Sequence, residues 1–162
     1  GNVIGGGDYS DDRIIPHIVR AFEGLGHVTL RNPNSIRPWQ HVLEPLSAYL
    51  LLAAKMVEEP QRFSTAYNFG PDKDDKLSVE ELTKIFLKAY GRDENYEVHQ
   101  SDKNPHEANL LLLDSTKAHQ EVKWNPKLNA TQAIEWSAEW YADKTKSAHD
   151  KCQEQIEKYF TI

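Results

Sequence analysis

Asn2-Val3-Ile4-Gly5-Gly6-Gly7-Asp8, followed by Asp12-Arg13-Ile14-Ile15-Pro16-His17-Ile18-Val19-Arg20-Ala21-Phe22, is the stretch from which the fold class is read. Asn2 to Ile4 has the character of a strand end, and the three glycines after it read as a flexible turn. Ile14, Ile15, Ile18, Val19 and Phe22 then make one apolar helical face. Asp12 is in place to cap that helix, Pro16 is tolerated in its first turn, and Gly24 and Gly26 stop it. A strand, a turn and a helix in succession point to a mixed α/β chain.

Working outward, His27 to Leu30 reads as a short strand, and the polar loop Asn32-Pro33-Asn34-Ser35 leads to Ile36-Arg37-Pro38-Trp39-Gln40-His41-Val42. Pro45 opens a second helix, with Leu46, Tyr49, Leu50, Ala53 and Val57 at helical spacing and Pro60 as its stop. Thr65 to Phe69 is a strand candidate closed by Gly70-Pro71. Ser78-Val79-Glu80-Glu81 is a capping box, and Leu82, Ile85, Phe86 and Ala89 carry its helix to Gly91. Tyr96 to His99 suits a strand, and Leu110 to Leu113 a short strand or buried turn. Asp114 can cap a short helix through Ala118. Asn129, with Gln132 in the box position, opens a last helix expected to run to about Tyr159. Its seam of Ile134, Ala138, Tyr141, Thr145, Ala148, Cys152, Ile156 and Tyr159 is too often small or polar for a coiled coil and suits packing along the domain. The outcome is a helix-dominated mixed α/β fold without the run of strand–helix units that a complete doubly wound sheet needs.

The chain has 162 residues, enough for one domain with a real core. Acidic residues outnumber basic ones by 25 to 19, which argues against a nucleic-acid-binding surface. One cysteine, Cys152, excludes an internal disulfide and a cysteine-cluster metal site. The apolar stretch around Leu50 to Ala54 is far too short to span a bilayer, and no secretory signal opens the chain. The sole methionine is Met56, so residue 1 is expected not to be a translation start and the chain to be a piece of a longer one.

Gly5-Gly6-Gly7 matches neither nucleotide-loop pattern: the spaced G-x-G-x-x-G is absent and no Gly-Lys-Ser/Thr follows. Asp72, Asp74, Asp75 and Glu80 fail as a calcium loop, with Leu77 where glycine is needed and Thr83 where glutamate is needed, and read as a solvated acidic turn. The seven histidines show no metal-ligand spacing, and His41 with Glu44 reads as a structural hydrogen-bonding pair of residues. The arginines carry more. Arg37 precedes Pro38, which biases it toward extended backbone, and it is flanked by Ile36 and Trp39, so its guanidinium is placed to grip a phosphate in two-pronged fashion. Arg13 and Arg31 are candidate co-ligands, although any single arginine also reads as a solvated or salt-bridged side chain.

These strings together resemble the CDP-glucose 4,6-dehydratases, nucleotide-sugar enzymes of the extended short-chain dehydrogenase type. The resemblance rests on Gly1-Asn2-Val3-Ile4-Gly5-Gly6-Gly7-Asp8, Asp12-Arg13-Ile14-Ile15-Pro16 and Arg37-Pro38-Trp39-Gln40-His41-Val42-Leu43-Glu44-Pro45-Leu46. Tyr67-Asn68-Phe69-Gly70-Pro71, Pro105-His106-Glu107-Ala108 and Leu113-Asp114-Ser115-Thr116-Lys117-Ala118 extend it, in family order, to about residue 141. The Arg-Pro-Trp-Gln-His-Val and Pro-His-Glu-Ala strings favour the CDP-sugar enzymes over their dTDP- and GDP-sugar relatives.

The resemblance implies a carboxyl-terminal substrate-binding domain over 1–141 with a helical extension over 142–162. Such enzymes carry a Rossmann domain with an NAD fingerprint and a Tyr-x-x-x-Lys pair upstream of this region. Here Tyr49 is followed four residues on by Ala53, Tyr90 by Glu94 and Tyr141 by Thr145. The expectation is therefore NAD in the longer parent, none on this piece, and no catalysis by the piece alone. By resemblance, Asn2 and Arg13 approach the nucleotide or diphosphate, Arg37 binds the diphosphate and Asn68 reaches the nucleotide. His106 and Glu107 close over it, and Arg31 sits in a matching Leu-Arg-Asn-Pro run. The implied partner is CDP or a CDP-sugar, with no nucleic acid and no membrane. The implied parent is a cytoplasmic homodimer or tetramer of deoxysugar and lipopolysaccharide biosynthesis. It would convert CDP-glucose to CDP-4-keto-6-deoxyglucose. Two other readings stay open: a stand-alone helical interaction module, and the equivalent half of a dTDP-sugar dehydratase. Loss of the upstream part is expected to expose apolar surface near Val3, Ile4 and the first helix.

Overall fold

A computed structural model describes residues 2–24, 27–93, 95–99 and 109–162. Strand β1 (Asn2–Ile4) runs into the glycine turn and then helix α1 (Ile14–Glu23). Strands β2 (Val28–Leu30), β3 (Ile36–Arg37) and β4 (Trp39–His41) precede helix α2 (Leu43–Glu58) and the single turn α3 (Pro60–Phe63). Strand β5 (Leu77–Ser78), helix α4 (Val79–Tyr90) and strand β6 (Tyr96–Val98) follow. A π-helical turn (Ala118–Val122) and helices α5 (Ala130–Ala142) and α6 (Ala148–Thr161) complete the chain. The fold is mixed α/β and helix-rich, as expected.

Among the described residues the strands form three two-stranded pairs. β1 lies parallel to β4, with Asn2 opposite Trp39 and Ile4 opposite His41. β2 lies parallel to β6, and β3 antiparallel to β5. The main core gathers Ile15, Ile18 and Val19 of α1, Leu82, Phe86 and Leu87 of α4, and Ile134, Ala138 and Tyr141 of α5. It fixes α1 behind the opening strand, and so sets where Arg13 emerges.

Both capping boxes form. Ser78 Oγ accepts from the Glu81 amide while the Glu81 carboxylate accepts from the Ser78 amide, and Asn129 and Gln132 do the same. Gly91 ends α4 in the left-handed region at φ 74°, where glycine is favoured. Several expectations need correction. Asp12 does not cap α1: it takes φ 58°, and Arg13 occupies the cap position without a side-chain bond. Residues 65–69 are not a strand, and Lys117 reaches back to the Thr65 hydroxyl and the Ala66 carbonyl. The last helix breaks over 143–147, because Asp143 accepts from the Thr145 amide and hydroxyl and Ser147 caps a new helix through the Asp150 amide. The acidic turn is not wholly solvated, since Asp75 Oδ2 accepts from the Ala130 amide at the start of α5.

The glycine turn is also not a loose connection. The Trp140 ring packs against Gly6, so close that a methyl group there would overlap its Cγ and Cδ2. Gly7 takes φ 79°, and Tyr141 Oη donates to the Asp8 carbonyl at 2.6 Å. Apolar exposure falls elsewhere than expected. Ile4, Ile15 and Ile18 are buried, whereas Leu46, Tyr49, Leu50 and Val57 of α2 are exposed, Val57 to 85%.

His41 is fully buried, edge-on to Trp136 at 5.8 Å, and its Nδ1 accepts from the Leu43 amide at 3.4 Å. Burial holds its pKa down to about 4. The folded value lies below the unfolded one, so the contribution is full above pH 6.5 and is lost as pH falls toward 4. We expect unfolding stability to drop by about 2 kcal/mol from this group between pH 7 and pH 5. Urea unfolding at the two pH values checks it, because a His41→Gln chain must show that much less acid sensitivity.

Candidate functional site

A cleft of about 860 Å³ opens where β1, the start of α1, the end of β2 and β3 meet. Asn2, Arg13, His17, Arg31, Arg37 and Trp39 line it. Local folding explains each position. The Asn2 amide donates to the Pro38 carbonyl at 3.0 Å, which aligns β1 beside the Arg37–Trp39 segment. Trp39 is buried and its indole Nε1 donates to the Leu77 carbonyl at 3.0 Å, so the wall it forms is fixed. Arg37 lies on β3 opposite Leu77 and donates from one guanidinium nitrogen to the Ile36 carbonyl at 2.9 Å. Arg31 follows β2 with an exposed side chain.

The loop from Asp8 to Asp12 makes the acidic rim. Arg13 Nε lies 3.8 Å from Asp8 Oδ2, with the arginine side chain 58% exposed, so the pair is screened and weak. The Asp8 carboxyl is held below its ordinary range, first by the Ser10 hydroxyl bond, then by the Ser10 amide and the Arg13 and Arg20 charges, against a burial effect that raises it. Arg20 donates to the Tyr9 and Ser10 carbonyls at 2.8 and 3.2 Å and pairs with Asp11 at 3.6 Å, so it is committed to shaping this loop. His17 Nε2 accepts from the Thr29 amide at 3.3 Å. Burial first, then Arg20 and Arg31, lower its pKa, which favours the neutral ring.

Four sequence candidates, Asn2, Arg13, Arg31 and Arg37, therefore share one cleft. Asn68 is not brought to it: its side-chain amide donates to the Asp114 carbonyl at 3.4 Å, outside the lining. His106 and Glu107 lie outside the described residues. His17 does not stand out from the sequence, although His17 and Arg20 at i and i+3 share one face of α1, which Arg13 precedes. Among the described residues no group of three or more histidine, cysteine, aspartate or glutamate side chains is arranged to hold a metal ion. The cleft can thus offer several guanidinium groups, the side-chain amides of Asn2 and Asn32 and an aromatic wall to an anionic ligand, beside the acidic rim of Asp8, Asp11 and Asp12.

The fold is similar to that of part of the nucleotide-sugar dehydratases and epimerases of known structure. It matches dTDP-glucose 4,6-dehydratase of Bacillus anthracis in complex with NAD at a TM-score of 0.69 and 20% identity, over 89% of this chain and 43% of that one. It matches UDP-glucose 4-epimerase of Stenotrophomonas maltophila with bound NAD and formylated UDP-arabinopyranose at a TM-score of 0.70 and 19% identity, over 86% and 45% of the two chains. No protein-family model matches. By sequence the chain is related to CDP-glucose 4,6-dehydratase of Salmonella typhimurium, 43% identical over 141 residues. That match covers 87% of this chain and 39% of the relative, so the chain spans about two fifths of that protein's length.

Proposed function

We propose that this chain is the substrate-binding part of a nucleotide-sugar 4,6-dehydratase, and that the cleft grips the diphosphate of CDP-glucose. The observation that carries the reading is the convergence of Arg13, Arg31 and Arg37 with Asn2 on one cleft walled by Trp39. A diphosphate presents two negative groups, and a guanidinium fork meets phosphate oxygens in pairs. Binding energy collected there, away from the sugar, is available to orient the sugar for reaction. His17, kept neutral and held by Thr29, supports the α1 side of the wall without adding a proton to the site.

The parent enzyme of this reading uses NAD and converts CDP-glucose to CDP-4-keto-6-deoxyglucose. The described residues do not themselves fit that cofactor. The glycine turn is filled by the Trp140 ring, leaving no cradle for a pyrophosphate, and the chain has no Gly-x-Gly-x-x-Gly segment. In this reading the cofactor is held by another part of a longer protein. The piece alone binds nucleotide and does not turn over. The exposed apolar stripe of Leu46, Tyr49, Leu50 and Val57 on α2 supports a covering neighbour, because contiguous exposed apolar surface marks a contact face.

Calorimetric titration with CDP, CDP-glucose and dTDP tests the reading. We expect the cytidine ligands to bind in preference to dTDP, and Arg37→Ala to weaken CDP roughly 30-fold, the cost of one charge-assisted contact. Equal binding of dTDP favours the dTDP-sugar alternative. Absence of binding by any nucleotide removes the residue roles.

A further inference from the structure

Helix α6 has no assigned role, yet its polar side chains converge on the two tryptophans of α5. Lys151 Nζ donates to the Trp140 and Asp143 carbonyls at 2.9 and 3.0 Å, and it sits 3.8 Å above the Trp140 ring. Gln155 donates to the Trp136 carbonyl at 2.7 Å, and Lys158 Nζ lies 4.2 Å above the Trp136 ring. The carbonyls of Trp140 and Asp143 belong to the last turn of α5 and its cap, where helix acceptors lack partners and a cation is favoured. One ammonium therefore caps α5 and covers one of its rings.

Trp140 also lies against Gly6. Next to it, Tyr141 holds the Asp8 carbonyl, and the Asp8 carboxylate faces Arg13 at 3.8 Å. Gly5, Asp8 and Arg13 line the cleft, whereas Lys151 does not. A continuous chain of contacts thus runs from Lys151 through Trp140 to the glycine turn and, through Tyr141, to Asp8 at the cleft wall.

We propose that Lys151 is a positioning residue for the cleft: by clamping Trp140, α6 sets the Gly5–Asp8 turn, whose Gly5 and Asp8 form part of the cleft wall. This deepens the nucleotide-binding reading and rests on it for the ligand. The mechanical link is independent of what the cleft binds.

The test uses the whole chain with Lys151→Met, which keeps length and apolar bulk but removes the charge, and Lys151→Arg, which restores a cation. Hydrogen exchange is followed at the amides of Gly5 to Asp8 and, for comparison, in α4. Binding of CDP is followed by calorimetry. Lys151→Met is expected to speed exchange at Gly5 to Asp8 roughly tenfold, leave α4 unchanged and weaken CDP about fivefold, given the strength of a cation over an aromatic ring plus two charged hydrogen bonds. Lys151→Arg is expected to recover both. Unchanged exchange at Gly5 to Asp8, or exchange accelerated equally in α4, overturns the proposal, the latter because it shows a general loss of stability. Should the unaltered chain bind no CDP, the nucleotide reading fails alone and the exchange comparison still decides the link.

Discussion

Gly6→Ala is expected to cost about 3 kcal/mol or more of unfolding stability, the range of a severe overpacking. A methyl group at this position would sit 2.0 Å from Trp140 Cγ, 2.1 Å from Cδ2 and 2.6 Å from Cδ1. The ring has nowhere to go. It is 8% exposed, meets Tyr141 edge-on at 5.2 Å and is covered on α6 by the Lys151 ammonium. The backbone is equally fixed, since Ile4 receives the Val42 amide at 2.8 Å on one side and Asp8 receives the Tyr141 hydroxyl on the other. Gly91→Ala is the matched control. It has open space around it and only the left-handed φ of 74° to pay for, about 1 kcal/mol. Urea unfolding of both chains decides the point: equal losses would mean that Trp140 does not pack on the turn.

What the sequence disclosed was local. Ser78 with Glu81 and Asn129 with Gln132 could be read because each signal and its consequence lie within four residues. The helical spacing of Leu46, Tyr49, Leu50, Ala53 and Val57 was equally visible, but periodicity defines a face without saying what it meets. That face turned out to be exposed, while Glu44, Pro45 and Ala48 are the buried residues of α2. The break after Ala142 had its own local signal, Asp143 before Thr145 and Ser147 before Asp150, masked by a seam that continued at acceptable spacing across it. In the cleft, the arginines were legible by residue type. Their convergence was not, because it depends on β1 pairing with β4 across some 35 residues of chain. Nothing local signals that Trp140 closes on a turn more than 130 residues earlier, which is why the three glycines by themselves read as a flexible connection.

Glu44→Ala is expected to cost about 4 kcal/mol, because it strips the acceptor from three donors at once. Glu44 is 1% exposed. Its Oε1 accepts from the Lys127 and Leu128 amides at 3.0 and 2.8 Å, and its Oε2 accepts from the Tyr159 hydroxyl at 3.0 Å. Burial raises the carboxyl pKa, opposed by those three bonds and by the Lys127 charge. Tyr159, itself buried, also meets the Ser47 hydroxyl at 2.9 Å, and Ser47 Oγ accepts from Trp124 Nε1 at 3.2 Å. One carboxylate therefore joins the start of α2, the loop before α5 and the end of α6. Two further substitutions separate the causes. Tyr159→Phe removes one donor together with its hydroxyl and is expected to cost about 1 kcal/mol, whereas Glu44→Gln keeps the shape and one acceptor oxygen and is expected to fall between the two. Urea unfolding at pH 7 orders the three chains. Were Glu44→Ala no worse than Tyr159→Phe, the two amides would have found water, and the joint would be held by packing around Leu128 and Trp136 instead of by the carboxylate.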